Sequence, residues 1–413
     1  MWQSRTASTS ACNSQTCCLR LGNLTSGDPI NRGNPSQTRI QDMTRPLSLV
    51  IAGGGTGGHL FPGIAVAEQV LDSHDDSQVL FIGTGNPFET RVLNQLGFAH
   101  ERIRVKPLKG KTRGYQAMAL ASIPAGIGAS IRILRRIRPD AVLGVGGYSA
   151  GPVVVAAWLL GIPRALHEQN LIPGMTNRFL AALANRIYVS FEHTRIHVGV
   201  QKIRLTGNPV RKKIASQKQG ERACRDTPRQ GKEHFTVLLI GGSQGAHRMN
   251  MIMIAALAHL KSRHNLAFIH QTGTDDESQV RQAYRDLHIK ATVRSFFEDM
   301  QTCYHQADLV ICRAGASTVA ELALIGKRVI FIPYPFAADD HQAINAGQLV
   351  SAGAAEMILE KDLTAIGLAD AIKAHADTPD KGRMLAANLK KHARPHAARD
   401  IVADIYELIS HKQ

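Results

Sequence analysis

The chain has 413 residues, 44% of them hydrophobic and 20% charged, which is enough for two domains with cores of their own. Its net charge of +16 calls for an acidic partner; with no zinc-finger spacing and no aromatic–basic motif, nucleic acid is set aside in favour of phosphate-bearing substrates or an anionic membrane. The six cysteines form no CxxC and read as reduced thiols rather than a disulfide frame or metal site, and no run reaches the ~18 apolar residues of a membrane span.

Residues 1–45 are rich in Ser, Thr, Asn, Gln, Arg and Gly without periodicity, and are expected to be a disordered extension or sequence upstream of a start at Met43. Folding is expected from Leu47. LSLVIA (Leu47 to Ala52) reads as a buried strand that runs into GGGTGGH (Gly53 to His59), followed by a helix with Ile64, Ala67 and Leu71 on its inner face. VLFIG (Val79 to Gly83) is the next strand. DAVLGVGGYSAGP (Asp140 to Pro152) leads into another helix and then a strand ending in HEQN (His167 to Asn170).

The plan recurs in the second half. FTVLLI (Phe235 to Ile240) is a strand, GGSQGAH (Gly241 to His247) a glycine loop, and an apolar helix is expected through Leu260. DLVICRAGASTVAE (Asp308 to Glu321) leads into a helix and the strand RVIFIPYP (Arg328 to Pro335). Strand, glycine loop, helix is the opening of a doubly wound unit, so the expected fold is α/β, with two Rossmann-like domains facing a cleft. The expected divisions are 1–45, 46–210, 211–394 and 395–413, with the domain boundary near TGNPVR (Thr206 to Arg211) and a last helix from Ala397 to Ser410 that crosses back to the first domain.

Parallel sheets bind ligands where strands end and helices begin, because free N–H groups and the helix dipole attract phosphate there, and glycines let it approach the backbone. Each glycine loop alone is equally compatible with a tight turn. GGGTGGH is neither a Walker A loop nor a dehydrogenase fingerprint, since the next strand ends in Gly83-Thr84 with no acid for a ribose.

Six motifs taken in order, GGGTGGH, GGYSAGP, HEQN, TGNPVR, GGSQGA and RAGASTVAE, resemble the MurG family, which adds N-acetylglucosamine to lipid I in peptidoglycan synthesis. The resemblance spans about residues 45 to 412. It implies a two-domain GT-B glycosyltransferase fold, UDP-GlcNAc as donor, lipid I as acceptor, no metal and no cofactor. It also implies a peripheral place on the cytoplasmic face of the inner membrane, with other cell-wall synthesis proteins as partners.

Carried over residue by residue, Glu321 would hold the ribose hydroxyls, beside Ala316, Ser317, Thr318, Val319 and Ala320 of the same helix start; the plain alternative for Glu321 is an acid balancing the helix dipole. Phe297 would frame the uracil through its backbone, or be a core aromatic. Ser243 and Gln244 would contact the diphosphate. Arg211 would add charge there, or be a solvated boundary residue. Gln342 would bind sugar hydroxyls; His341 stands where some relatives carry a second glutamine, which weakens that contact.

On the other wall, His59 is the candidate general base, since imidazole titrates nearest neutral pH, with a loop-capping role as its alternative and Glu168 as the next candidate. Thr56, Gly57 and Gly58 would line the cleft beside it and contact the donor. Asn170 would orient a sugar or its own loop. Gly147, Tyr148 and Ser149 would meet the acceptor diphosphate.

From Glu101 to Arg138 there are ten basic residues and one acid, among them Lys106, Lys109, Lys111, Arg113, Arg132, Arg135 and Arg136, interleaved with Leu108, Met118, Leu120, Ile123, Ile127 and Ile131. This is the chemistry of a face on an anionic bilayer, or of a solvated helix with its apolar side turned inward. Three rival functions stay open: a diacylglycerol glycosyltransferase of the same architecture, a dinucleotide oxidoreductase, and a nucleotide sensor without catalysis.

Overall fold

Short runs of Val, Ile and Leu separated by helices build two parallel sheets, each buried on both faces. The computed structural model describes residues 45–106, 113–215, 234–242 and 245–411. The first sheet holds β1 (Ser48–Gly53), β2 (Gln78–Gly83), β3 (Ala99–Arg102), β4 (Ala141–Gly146), β5 (Arg164–Glu168), β6 (Arg186–Val189) and β7 (Ile203–Leu205), in the order β3-β2-β1-β4-β5-β6-β7. Val50 pairs with Leu80 on one side and Val142 on the other. The strand order therefore reverses between β1 and β4, and a crevice opens above their C-terminal ends.

The connecting helices are α1 (Gly57–Ser73), α2 (Pro87–Gln95), α3 (Arg113–Ile137), α4 (Ala150–Leu159) and α5 (Met175–Leu180). A single turn, α6 (Lys212–Ala215), follows the crossing into the second domain. There β8 (Phe235–Ile240), β9 (Leu266–Gln271), β10 (Ala291–Arg294), β11 (Leu309–Cys312), β12 (Arg328–Phe331) and β13 (Glu356–Met357) pair in the order β10-β9-β8-β11-β12-β13. The second reversal lies between β8 and β11 and faces the first.

Helices α7 (His247–Leu257), α8 (Glu277–Asp286) and α12 (Ala365–Asp377) cover one face of this sheet. The other face is covered by α9 (Met300–Gln306), α10 (Ala316–Ile325), α11 (His341–Ser351) and α13 (Pro379–Lys391). Three expectations shift. Strand β12 ends at Phe331 rather than at Pro335, Pro333 and Pro335 having no N–H to donate to a ladder. Helix α7 stops at Leu257, with Leu260 buried in the turn beyond it. Leu71 lies at the rim of α1 and is exposed, while Val70 takes the fully buried place, because α1 is covered by a second helix as well as by the sheet.

That second helix is α14 (Ala397–Ser410). It packs on α1 and adds Ile401, Val402, Ile405, Tyr406 and Ile409 to the first domain's core. One buried acid fixes it there. Asp404 accepts a hydrogen bond from the Tyr188 hydroxyl at 3.0 Å and stands 3.3 Å from both Arg186 and Arg204. The Tyr406 hydroxyl donates to the Arg45 carbonyl oxygen at 2.8 Å.

Removing the carboxylate would leave two largely buried guanidinium groups without their anion, a change that costs about 3–5 kcal/mol. Asp404→Ala is therefore expected to unfold at clearly lower urea than wild type by circular dichroism, and Tyr188→Phe to lose about 1.5–3 kcal/mol. An unchanged midpoint for Asp404→Ala would mean that the apolar face alone anchors α14.

Candidate active site

The two glycine loops of the first domain close on each other. Gly53 has φ +129°, and a Cβ there would lie 2.3 Å from the Gly146 carbonyl oxygen. Gly146 has φ +99°, and a Cβ there would lie 2.8 Å from His59 Nδ1. Only glycine lets both loops and the imidazole ring share this space. His59 does not end the loop, as expected from sequence, but sits half-buried in the first turn of α1.

HEQN forms the floor beside it. Glu168 is almost fully buried, and its carboxylate accepts from the Asn170 and Gly174 backbone N–H groups, both at 3.0 Å, and from Asn177 Nδ2 at 2.8 Å. It holds the turn in shape. Gln169 reaches the other way, its Oε1 standing 3.1 Å from His59 Nδ1. Tyr148 is exposed and Gly147 partly so, whereas Ser149 is buried at the start of α4.

The facing wall is the N-terminus of α10. Ser317 Oγ donates to the Gly58 carbonyl oxygen across the cleft at 3.4 Å. Ala316 and Val319 are buried; Ser317, Thr318 and Ala320 are partly exposed. Neither α1 nor α10 has an acid in its first turn or a side-chain cap. Two positive helix ends with uncapped N–H groups thus converge on one space, with Thr56 and Gly57 at its edge.

Glu321 lies one turn further along α10, 6% exposed. It is 3.2 Å from Arg211 Nη2 and accepts from the Tyr304 hydroxyl at 3.0 Å. Burial pushes its carboxyl above the usual range, against the opposing pull of Arg211 and Tyr304. Arg211 also lies over the Phe61 ring of α1, 4.2 Å from its centroid, so one guanidinium touches both walls. At the second glycine loop, Gln271 donates to the Gly242 carbonyl oxygen at 3.1 Å and accepts from the Phe297 N–H at 3.0 Å. The Phe297 N–H is therefore engaged within the protein. Ser243 and Gln244 lie outside the described residues.

The DDHQ segment is strained. Asp339 and Asp340 have φ +54° and +52°, in the left-handed region that non-glycine residues seldom enter. Asp339 pairs across the cleft with Arg178 at 2.6 Å. His341 Nδ1 faces the Ala338 carbonyl oxygen at 2.7 Å, and Gln342 Oε1 accepts from the Tyr334 N–H at 3.0 Å, so both side chains are folded onto their own loop. Sequence reasoning missed Asn345, which is fully buried and ties the domains together. Its Oδ1 accepts from the Leu171 N–H and its Nδ2 donates to Asn170 Oδ1, both at 3.1 Å. An asparagine on the apolar side of a helix, three residues after Gln342, was the available signal. Tyr304, Phe61 and Gln271 were also missed, and nothing in their spacing marks them.

Of the basic segment, Lys106 is exposed, with its ammonium 5.7 Å from the Tyr115 ring centroid. Lys109 and Lys111 lie outside the described residues, and Arg113 begins α3. Arg132, Arg135 and Arg136 are exposed, Arg136 pairing with Glu101; Ile127 and Ile131 pack inward, while Met118 is exposed. No helix among the described residues is long and apolar enough to cross a membrane. The dinucleotide reading loses further ground here: the acid nearest the first glycine loop, Glu89, is buried beneath Gly54 and Gly83 rather than open to a ribose.

Residues 49–189 match the glycosyltransferase family 28 N-terminal domain, and residues 236–403 its C-terminal domain. A UDP-N-acetylglucosamine–N-acetylmuramyl-(pentapeptide) pyrophosphoryl-undecaprenol N-acetylglucosamine transferase from Myxococcus xanthus is 43% identical over 360 residues, 87% of this chain and 92% of that one. Its counterpart from Geobacter sulfurreducens is 44% identical over 360 residues, 87% of this chain and 98% of that one. The crystal structure of Acinetobacter baumannii MurG superposes with a TM-score of 0.69 at 31% identity, covering 88% of this chain and 99% of that one. A UDP-GlcNAc 2-epimerase from Neisseria meningitidis, at 13% identity and a TM-score of 0.60, shares the fold alone over 87% of this chain and 99% of its own. With its two facing parallel-sheet domains of the GT-B type, this chain belongs to the MurG family of N-acetylglucosaminyltransferases.

Proposed function

We propose that the protein moves N-acetylglucosamine from UDP-GlcNAc to the C4 hydroxyl of the N-acetylmuramyl unit of lipid I, with inversion at the anomeric carbon. The observation that carries this reading is the meeting of two acid-free helix N-termini, α1 and α10, bridged by Ser317 and Gly58. Such a space favours a diphosphate. Nearby, a buried carboxylate, Glu321, suits ribose hydroxyls, and an imidazole stands on the opposite wall.

His59 takes the proton of the acceptor hydroxyl as its oxygen attacks the anomeric carbon. The bond from that carbon to the UDP oxygen breaks on the far face, so an α-linked donor gives a β-linked product. Negative charge grows on the leaving diphosphate, where the helix ends and Arg211 stabilise it. Glu321 exchanges Arg211 for the ribose as the donor enters, freeing the guanidinium to turn to the phosphates. Glu168, buried and fully engaged with its own turn, is a positioning group rather than the base.

His59→Ala is expected to lower kcat about 10²–10⁴-fold with the donor KM little changed. A loss under tenfold would move the base elsewhere. Glu321→Ala is expected to raise the donor KM about ten- to hundredfold, matching charge-assisted hydrogen bonds of about 1.5–3 kcal/mol, in an enzyme whose circular dichroism is that of wild type. An unchanged KM in that folded variant removes Glu321 from the ribose.

Membrane docking through the basic segment, on the cytoplasmic face, is part of the same proposal. Each basic residue near an anionic surface adds on the order of 1 kcal/mol, which salt screens. Replacing Lys106, Lys109, Lys111 and Arg113 with Gln is expected to weaken binding to phosphatidylglycerol vesicles strongly at low salt, while activity on a short-chain, water-soluble acceptor stays near normal. Unaltered vesicle binding would move docking to another surface; a collapse of soluble-acceptor activity would place these residues in the acceptor site.

A further inference from the structure

A chain of polar groups runs from the interdomain crossing to His59, and each contact in it dictates the next. It begins at the carbonyl oxygen of Gly207, which can only accept. His167 Nε2 lies 3.3 Å from it. His167 is fully buried, and burial pushes its imidazole down to about 4, so it is neutral near pH 7 and carries one proton. That proton belongs on Nε2, facing Gly207, which leaves Nδ1 as a bare acceptor.

The Gln169 amide comes next. One end of it lies 2.7 Å from the Val145 carbonyl oxygen and 3.0 Å from His167 Nδ1. Both of these accept, so that end is the NH₂, and its two hydrogens go one to each. Gln169 is 1% exposed, so its orientation is set by these partners and not by water. The carbonyl end then faces His59 Nδ1 at 3.1 Å. An amide oxygen can only accept, so Nδ1 of His59 must carry the hydrogen.

We infer that Gln169 is a positioning residue that locks His59 in the Nδ1–H tautomer through the buried chain Gly207–His167–Gln169, leaving Nε2 bare to receive the acceptor's proton. The inference rests on the reading of His59 as general base. It assigns a task to two residues of HEQN, His167 and Gln169, that are buried away from the open cleft. It also accounts for His167 being held neutral: a protonated His167 would present a donor at Nδ1, turn the amide round, and put NH₂ against His59. The hydrogen would then move to Nε2, and the base would lose its lone pair on the substrate side.

The test reads the tautomer directly. Enzyme labelled with ¹⁵N-histidine is examined by long-range ¹H–¹⁵N correlation at a pH where His59 is neutral, with His59→Ala used to assign the signal. A pyrrole-like Nδ1 and pyridine-like Nε2 on His59 are expected. In Gln169→Met, which keeps length but offers no oxygen, the preference should relax to a mixture of tautomers. Its kcat should fall about tenfold, the factor one neutral hydrogen bond commands, with the donor KM unchanged. A wild-type His59 protonated on Nε2 overturns the inference, whether or not Gln169→Met folds. An Nδ1–H tautomer in an enzyme whose His59→Ala variant keeps kcat within tenfold overturns the assignment of His59 as base instead, and leaves the tautomer lock in place.

Discussion

Two positive helix ends held face to face without an intervening acid form the constraint around which this molecule is arranged. The ends of α1 and α10 repel each other weakly and leave first-turn N–H groups without a side-chain cap. A surface helix would normally relieve this with an acidic or hydroxyl cap. Here the first turns read Gly-Gly-His and Ala-Ser-Thr, and the caps are Thr56, whose side chain makes no capping bond, and Gly315. The vacancy of charge is a property of the sequence, and under the proposed function it is what favours a diphosphate there and stabilises the charge that grows on it as it leaves.

Holding such ends together requires ties elsewhere, and the ties are polar and cross between domains. Arg211 joins Glu321 to the Phe61 ring; Asn345 clasps Asn170 and Leu171; Arg178 meets a strained Asp339. Each is one or two hydrogen bonds, an ion pair or a ring contact, worth little enough to be exchanged when a ligand arrives. The return of α14 onto α1 is different in kind. It buries a continuous apolar face and an acid paired with Arg186, Arg204 and Tyr188, and so fixes the last helix to the first domain.

The doubly wound architecture was legible because buried parallel strands followed by glycine turns leave an unmistakable local pattern; LSLVIA-GGGTGGH and FTVLLI-GGSQGAH each carry a strand, a glycine loop and the start of a helix in one short run. The placement of His59 and Glu321 on opposite walls followed from the motif order. What could not be read was anything that depends on two distant segments meeting. Asn345 and Asn170 are 175 residues apart, and Tyr304 reaches Glu321 from a different helix. Leu71 was misassigned because the width of α1's buried arc is set by α14, more than three hundred residues away in the chain. Gln169 was in view within HEQN, yet its orientation is decided by Val145 and His167 together, which no spacing rule encodes.

The central claim is that the cleft joins a UDP-linked sugar to a diphosphate-linked glycolipid. Purified enzyme given UDP-GlcNAc with lipid I, with diacylglycerol, or with water alone decides it, with UDP release measured and the product's linkage determined. Release that depends on lipid I and yields a β-1,4-linked disaccharide on the lipid is the predicted result. Transfer to diacylglycerol, or no transfer to lipid I by an enzyme that binds UDP, would contradict it.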